Sequence, residues 1–328
     1  MLVSHCRTLR VALTAPVLEG EMDCIVCRSP ALRLWGRKES YDLYRCSSCG
    51  VVFTQPMPSQ ADLLQLYASA QYFLGGGTEG YAAGYDVSAR TQSHLYEMIL
   101  DQIGRPQAGA KLLEVGCAEG HFLDTARKRG WEVCGVELSP VAAAAARRRF
   151  DLQVFEGAID ELSPEPNAYT VIVLLDVIEH LSNPACTVRT AAKMLRPEGW
   201  LVIKTPDIGS AYARRLGMRW PQIKPPEHLV YFEFASVERM LAAYGLKVDR
   251  RQAIGGTGIL AGMQRHIRAH PVLDCRKTIR ALTTIKRSSL VTWLVARASA
   301  LLGRQDSMIV FARKTLSRGS TDTVVCNK

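Results

Sequence analysis

The sequence predicts an α/β protein built on a doubly wound, mostly parallel sheet of seven strands, with a small zinc ribbon in front of it. From Lys111 onward, short apolar segments alternate with helical patterns, which is typical of a parallel sheet covered by helices on both faces. Ahead of this region stand two CxxC pairs. With 328 residues, 48% of them hydrophobic, the chain is long enough to bury such a core and carry one accessory module.

The front of the chain is expected to hold a structural zinc ion. Residues 1–21 form an extension that shows no signal-peptide pattern and is expected to be disordered, and residues 22–56 form the module. The expected ligands are Cys24, Cys27, Cys46 and Cys49, with eighteen residues, 28 to 45, between the two pairs. Four thiolates complete a tetrahedral zinc site with no open position, which favours a structural role over a catalytic one. The alternative, disulfides or a redox dithiol, needs an oxidising compartment or a thioredoxin-like context that the sequence lacks.

Residues 57–105 are predicted to be a helical linker. It contains a glycine-rich loop at 75–84 beside Tyr72 and Tyr81. Such a loop is either a lid that carries a tyrosine over the active site or a plain flexible connection.

The catalytic domain is predicted over 106–252, and a C-terminal helical segment over 253–328 with a final strand at 307–314. The expected strands are KLLEV, WEVCGVEL, LQVFEG, YTVIVLLDV, GWLVIKTP, LKVDRR and SMIVFARK. The most informative connection is the first, LLEVGCAEGHFL, where Gly116 and Gly120 let the backbone approach a ligand at the start of a helix.

An acidic residue follows at the spacing that a nucleoside-binding site needs. Glu137 lies 21 residues beyond Gly116, at the end of the next strand, where a carboxylate can accept both hydroxyls of a ribose. Ser139 and Pro140 then cap and begin a helix. A dinucleotide would use the same geometry, but the third glycine of GxGxxG is missing.

Four segments between residues 114 and 206 resemble the successive signatures of class I S-adenosylmethionine-dependent methyltransferases. They are EVGCAEGHFL, VELSP, LLDVIEHL and LRPEGWLVIKTP. The cysteine module and the run PPEHLVYF at 225–232 make the chain similar to bacterial methyltransferases with an N-terminal four-cysteine zinc module, including those that act on deoxysugars.

The resemblance implies a set of cofactor contacts. Those to the amino-acid part of S-adenosylmethionine are Glu114, Gly116, Cys117 and Gly120. Glu137 would hold the ribose, Ala158 and Ile159 would flank the adenine, and Asp176 would also contact the cofactor. Many relatives have an acidic or hydroxyl side chain where Ala158 stands, so backbone contacts to the adenine are expected here.

Two histidines are the candidates for a catalytic base, since a hydroxyl or carbon-acid acceptor has to lose a proton near neutral pH. His180 lies at the edge of the sheet where α/β folds bind ligands, and His228 lies in PPEHLVYF. Asp176, Glu179 and His180 also resemble the pattern that binds a divalent cation in quinone-precursor O-methyltransferases. A structural role for these side chains is the other interpretation.

The expected function is methyl transfer to an oxygen or carbon atom of a small molecule, a sugar or another polar metabolite. An RNA methyltransferase that binds RNA through the zinc module and a basic tail is the alternative, consistent with a net charge of +10. A non-catalytic binding protein on the same fold is the other. The longest late apolar stretch, 290–302, contains Arg297 and falls short of the roughly 20 residues that a membrane span needs, so we expect a soluble protein. Cys117, Cys134 and Cys186 lie in apolar segments, as reduced cysteines do, which favours a cytoplasmic setting. The sequence predicts no oligomeric state.

Overall fold

The computed structural model describes residues 22–59, 62–63, 92–162, 165–255 and 305–315. Three sequence-based expectations lie outside the described residues: the N-terminal extension 1–21, the glycine-rich loop with Tyr72 and Tyr81, and the helices expected between 256 and 304.

The described strands and helices have the following bounds. The strands are β1 Leu32–Lys38, β2 Tyr41–Cys46, β3 Val52–Gln55, β4 Lys111–Val115, β5 Glu132–Glu137, β6 Val154–Glu156, β7 Tyr169–Leu175, β8 Leu195–Pro206, β9 Val230–Tyr231, β10 Leu246–Gly255 and β11 Gln305–Lys314. The helices are α1 Ser93–Ile103, α2 His121–Lys128, α3 Pro140–Phe150, α4 Pro184–Met194, α5 Ala211–Leu216 and α6 Phe234–Ala242.

The larger sheet confirms the predicted fold class. It has seven strands in the order β10-β11-β8-β7-β4-β5-β6. Strands β4 to β8 pair in parallel, and β11 is antiparallel to both β8 and β10. The apolar strands β4 and β7 lie at the centre, where helices cover both faces, and Leu112, Leu113, Val171 and Val173 are fully buried. This topology places the ends of β4, β5 and β7 side by side.

Local signals begin the helices that flank this edge. Ser139 accepts a hydrogen bond from the backbone of Ala142, and Pro140 is the first residue of α3. Asn183 caps α4 in the same way, and Pro184 begins it. These caps satisfy backbone donors that would otherwise lack a partner at the start of each helix.

The cysteine module forms a second, antiparallel sheet of four strands in the order β1-β2-β3-β9. Its first three strands come from residues 32–55, and β9 comes from PPEHLVYF, far along the chain. Val52 pairs with Tyr231, and Phe53 pairs with Val230. The module therefore shares a sheet with a segment of the main domain. Within the described part of the chain, no helix is long and apolar enough to cross a membrane.

Candidate active site

The turn after β4 has the backbone geometry that its glycines predict. Gly116 has a φ of +70°, and a Cβ there would lie 2.5 Å from Cγ2 of Val177. Gly120 has a φ of +81°, and a Cβ there would lie 2.4 Å from Cδ1 of Leu152. Residues other than glycine rarely adopt this backbone conformation, and a side chain at either position would overlap the neighbour named here. Gly120 therefore serves the close packing of α2 against the core, whereas Gly116 keeps the turn narrow at the edge of the sheet.

Glu137 joins this turn to the start of α3. It is the last residue of β5 and is 7% exposed. Its Oε2 accepts a hydrogen bond from the backbone of Ala118 at 2.8 Å, and its Oε1 accepts one from the backbone of Ser139 at 2.8 Å. Burial raises the pKa of Glu137, and the backbone donors oppose that shift. Each oxygen of a carboxylate accepts more than one hydrogen bond, so the side chain retains acceptor capacity for a ligand.

Glu114 lies on the neighbouring strand β4 and is 4% exposed. Its Oε2 has no hydrogen-bond partner among the described residues. Burial raises the pKa of Glu114 well above its ordinary value, and the nearby Glu137 carboxylate adds to the shift. Two buried carboxylates, one of them incompletely bonded, favour a cationic ligand. The ammonium group of S-adenosylmethionine can donate to these acceptors, and the charge of its sulfonium group is complementary to theirs.

The other residues expected at the cofactor lie around the same edge. Cys117 is 1% exposed, and a Cβ on Gly135 would lie 2.5 Å from its Sγ, so the thiol packs against β5 and the residue offers its backbone. Ala158 is half-buried and follows β6, next to the end of β5, where Gly157 donates a backbone hydrogen bond to Glu137 at 2.9 Å. Ile159 is 3% exposed and packs in the hydrophobic core.

The two histidines meet beside this edge. His180 ends the 3-10 turn Ile178–His180 after β7, and His228 precedes β9. Their ring centroids are 4.7 Å apart, with an interplanar angle of 85°. Nδ1 of His180 lies 2.6 Å from the carbonyl oxygen of Glu227, and Nδ1 of His228 lies 3.1 Å from that of Gln222. A carbonyl only accepts, so each Nδ1 carries a proton, and Nε2 is the basic nitrogen of each neutral ring.

Burial favours the neutral form of both histidines, and the carboxyl group of Glu179 lies close to them. Burial lowers the pKa of His180 and lowers that of His228 well below the ordinary value. Glu179 is 2% exposed, and burial together with the charge of Asp176 raises its pKa to about 8. Ligand atoms of Glu179, His180 and His228 all lie within 4.8 Å of one another.

Asp176 makes a different contact from the one the cation pattern suggests. Its carboxylate forms an ion pair with Nζ of Lys204, on the neighbouring strand β8. It is not part of the converging group, whose third member is His228. Lys204 was not among the residues expected from sequence. The signal that points to it is a single charged residue in 199–206, the continuously buried part of β8, because a buried charge needs a partner.

The four front cysteines converge on one point. The Sγ atoms of Cys24 and Cys49 are 3.6 Å apart, as are those of Cys27 and Cys46. All four lie within 4.8 Å of one another. Tetrahedral zinc with Zn–S bonds of about 2.3 Å places its sulfur ligands about 3.8 Å apart. The cysteines therefore fit one zinc ion.

Comparisons with known proteins show that the chain resembles methyltransferases. A family model described as a methyltransferase domain matches residues 88–250. A ubiquinone biosynthesis O-methyltransferase from Thiobacillus denitrificans is 30% identical over 161 residues, which are 44% of this chain and 67% of that protein. Another from Albidiferax ferrireducens is 30% identical over 107 residues, 30% of this chain and 42% of that protein. The chain thus spans less than half the length of the Albidiferax relative.

The fold is shared with a protein of low sequence identity. The crystal structure of geranyl diphosphate C-methyltransferase from Streptomyces coelicolor A3(2) matches with a TM-score of 0.50 and 16% identity, over 79% of this chain and 100% of that chain. At this identity the likeness shows the architecture alone.

Proposed function

The chain belongs to the class I S-adenosylmethionine-dependent methyltransferase family, and from this premise we propose that it methylates an oxygen or carbon atom of a small molecule, a sugar or another polar metabolite. The observation that carries the proposal is the pair His180 and His228, which is kept neutral by burial beside the edge of the sheet where Glu114 and Glu137 lie.

Glu114 is proposed to hold the amino-acid part of the cofactor, and Glu137 is proposed to hold its nucleoside part. The unpartnered Oε2 of Glu114 would accept from the ammonium group, and Glu137 would accept from the ribose hydroxyls. The backbone of 116–118 would line the amino-acid part, and Ala158, Ile159 and Asp176 complete the proposed contacts. When bound, S-adenosylmethionine supplies a methyl group on a positively charged sulfur.

His228 is proposed as the base, with His180 as its partner. Nδ1 of His228 is held by the carbonyl of Gln222, so Nε2 is the atom that would take the proton of the acceptor. The ring is 4% exposed, which excludes water from the proton transfer. His180 packs edge-to-face against it and restricts its orientation. Methyl transfer also requires the acceptor, the methyl carbon and the sulfur to lie in line, and a base held in one orientation helps to position the acceptor.

We propose that the four-cysteine site holds structural zinc. Its support is the mutual distance of the four sulfurs, which matches tetrahedral coordination. Zinc-bound thiolates have to stay reduced, which is the reason to propose a cytoplasmic setting.

The experiment is a methyl-transfer assay on three classes of acceptor after S-adenosylmethionine binding has been measured by calorimetry. The acceptors are sugar nucleotides, small hydroxylated metabolites and total RNA. His228→Ala and His180→Ala should keep cofactor affinity, and at least one should abolish turnover. His94→Ala is the matched control, since His94 is exposed on α1. Transfer to RNA alone would favour the nucleic-acid alternative, and failure to bind the cofactor would favour the non-catalytic one.

A divalent cation bound by Glu179, His180 and His228 is the second candidate for this cluster. It is favoured by Oε1 of Glu179, which is buried without a hydrogen-bond partner among the described residues. Metal analysis distinguishes the candidates. Two metal ions per chain, one of them lost in Glu179→Gln, would assign the cluster to a cation; one ion per chain leaves the histidines as base and partner.

A further inference from the structure

The cysteine module makes hydrogen bonds to Leu229, the residue that follows the proposed base His228. Cys46 ends β2, and its backbone bonds to Val51 and Gly50 close the turn that contains Cys49. Two residues after Gly50, the chain enters β3. Thr54, in this strand, donates to the carbonyl oxygen of Leu229 twice, from its backbone N at 2.9 Å and from its Oγ1 at 3.3 Å.

Leu229 is also bonded to the turn Ile178–His180, which carries the other histidine of the pair. Its backbone N donates to the carbonyl oxygen of Glu179 at 2.8 Å. One residue therefore bridges β3 and the turn Ile178–His180, and His228 immediately precedes it. Oη of Tyr231 also donates to the carbonyl oxygen of His228 at 2.8 Å, and Tyr231 pairs with Val52 of β3.

The cysteine turn itself is clamped to the main domain. Gly50 has a φ of +80°, which favours glycine, and Oε1 of Glu233, the residue before α6, lies 1.6 Å from the position a Cβ would take. Arg45 forms an ion pair with Glu233 at 2.8 Å, and Arg239 of α6 donates to the carbonyl oxygen of Ser48 at 3.0 Å. The turn that supplies two of the four cysteines is thus held between β3 and α6.

We propose that the zinc module is a positioning element for the histidine pair, and that metal in the four-cysteine site sets the place of His228 through the pairing of β3 with β9, with Thr54 as the positioning residue. Strand β9 has two residues, too few to hold a place by itself, and β3 is its partner in the sheet. The position of β3 depends on the turn 46–51 that precedes it, which contains Cys46 and Cys49 and is closed by backbone hydrogen bonds. The consequence for turnover rests on the proposed function, whereas the consequence for local structure does not.

The first test is hydrogen–deuterium exchange of the full chain before and after zinc is removed with a chelator, with zinc returned as the rescue. We expect exchange to rise at least about tenfold both in 52–55 and in 226–232, and to remain unchanged in β4, because backbone hydrogen bonds that open locally exchange faster. Calorimetric affinity for S-adenosylmethionine should change less than about twofold. A rise confined to residues 22–55 overturns the proposal.

The second test keeps zinc in place and changes one hydroxyl. Thr54→Val removes the Oγ1 bond while retaining the shape of the side chain, and Thr54→Ser keeps the hydroxyl as the matched control. We expect Thr54→Val to lower kcat about three- to tenfold with KM for the cofactor unchanged, the size of one lost neutral hydrogen bond. Equal kcat for the two variants overturns the role of Thr54. If the wild type transfers no methyl group, the proposed function fails, and the exchange experiment still decides the coupling.

Discussion

Replacing Glu137 by glutamine tests the cofactor site at its best-defined side chain. The carboxylate accepts hydrogen bonds from the backbone of Ala118 and Ser139, both at 2.8 Å. The amide nitrogen of glutamine donates and does not accept, so Glu137→Gln leaves one of these two backbone groups without its partner. A buried donor left unsatisfied costs about 1–3 kcal/mol. The loss in unfolding free energy should fall near the lower end, because the neutral amide also removes the repulsion between Glu137 and Glu114.

The effect on binding should be larger than the effect on folding. Hydrogen bonds from a ribose to a charged acceptor contribute about 1.5–3 kcal/mol. Each 1.4 kcal/mol changes a dissociation constant about tenfold. We therefore expect Glu137→Gln to weaken S-adenosylmethionine binding by about ten- to a hundredfold while the protein stays folded.

The assay is isothermal titration calorimetry beside urea unfolding of the same preparation. Glu132→Gln is the matched control, because Glu132 begins the same strand and is exposed. Its affinity should equal that of the wild type. A folded Glu137→Gln protein that binds the cofactor within about twofold of the wild type would refute the assignment of Glu137 to the ribose.

Three further predictions follow from the glycine turn, the base and the cysteines. Gly116→Ala should lower the free energy of unfolding by about 2–5 kcal/mol, because alanine there suffers left-handed strain and overlaps Val177. Gly109→Ala is the control and should lower it by the strain alone, since its φ is +73° and nothing lies within 4 Å of its Cβ position. Equal losses in urea unfolding would contradict the overlap. Because burial lowers the pKa of His228 well below 6.5, the base is neutral at pH 6.5, and kcat/KM should fall only below that pH. The unfolded chain takes up a proton there that the buried imidazole does not, so unfolding free energy should also fall below pH 6.5; an acid limb centred at or above 6.5 is the contrary result. Metal analysis should find one zinc per chain, lost in Cys24→Ser and kept in Cys134→Ser. Wild type that is purified folded, without any chelator, and contains no zinc would refute the site.

Features that depend on neighbours in the sequence were predictable. The seven strands alternate with helical patterns over short windows, and the caps Ser139 and Asn183 stand next to the prolines that begin α3 and α4. The glycine turn after β4 was predictable because Gly116 and Gly120 have to adopt a backbone conformation that other residues avoid. The cysteine spacing indicated a shared metal for the same local reason, since a tight turn brings two thiolates together.

Features that join distant segments needed the tertiary structure. The sequence placed His180 at the ligand-binding edge of the fold and His228 in PPEHLVYF. It did not show that their rings pack edge to face, because 47 residues and a crossover lie between them. It suggested Asp176 as a partner of Glu179 and His180, whereas the parallel register of β7 and β8 places Lys204 beside Asp176 and leaves that position to His228.

The sequence by itself determined the elements, the order of the two modules and the glycine turn after β4, because hydrophobic period, capping and glycine conformation act within a few residues. Only the tertiary structure decided that β9 completes the sheet of the cysteine module and that Leu229 bridges Thr54 and Glu179. Backbone hydrogen bonds of this kind carry no residue-type signature, since every non-proline residue offers the same donor and acceptor. Which strand takes the open edge of β3 therefore follows from how the main domain packs.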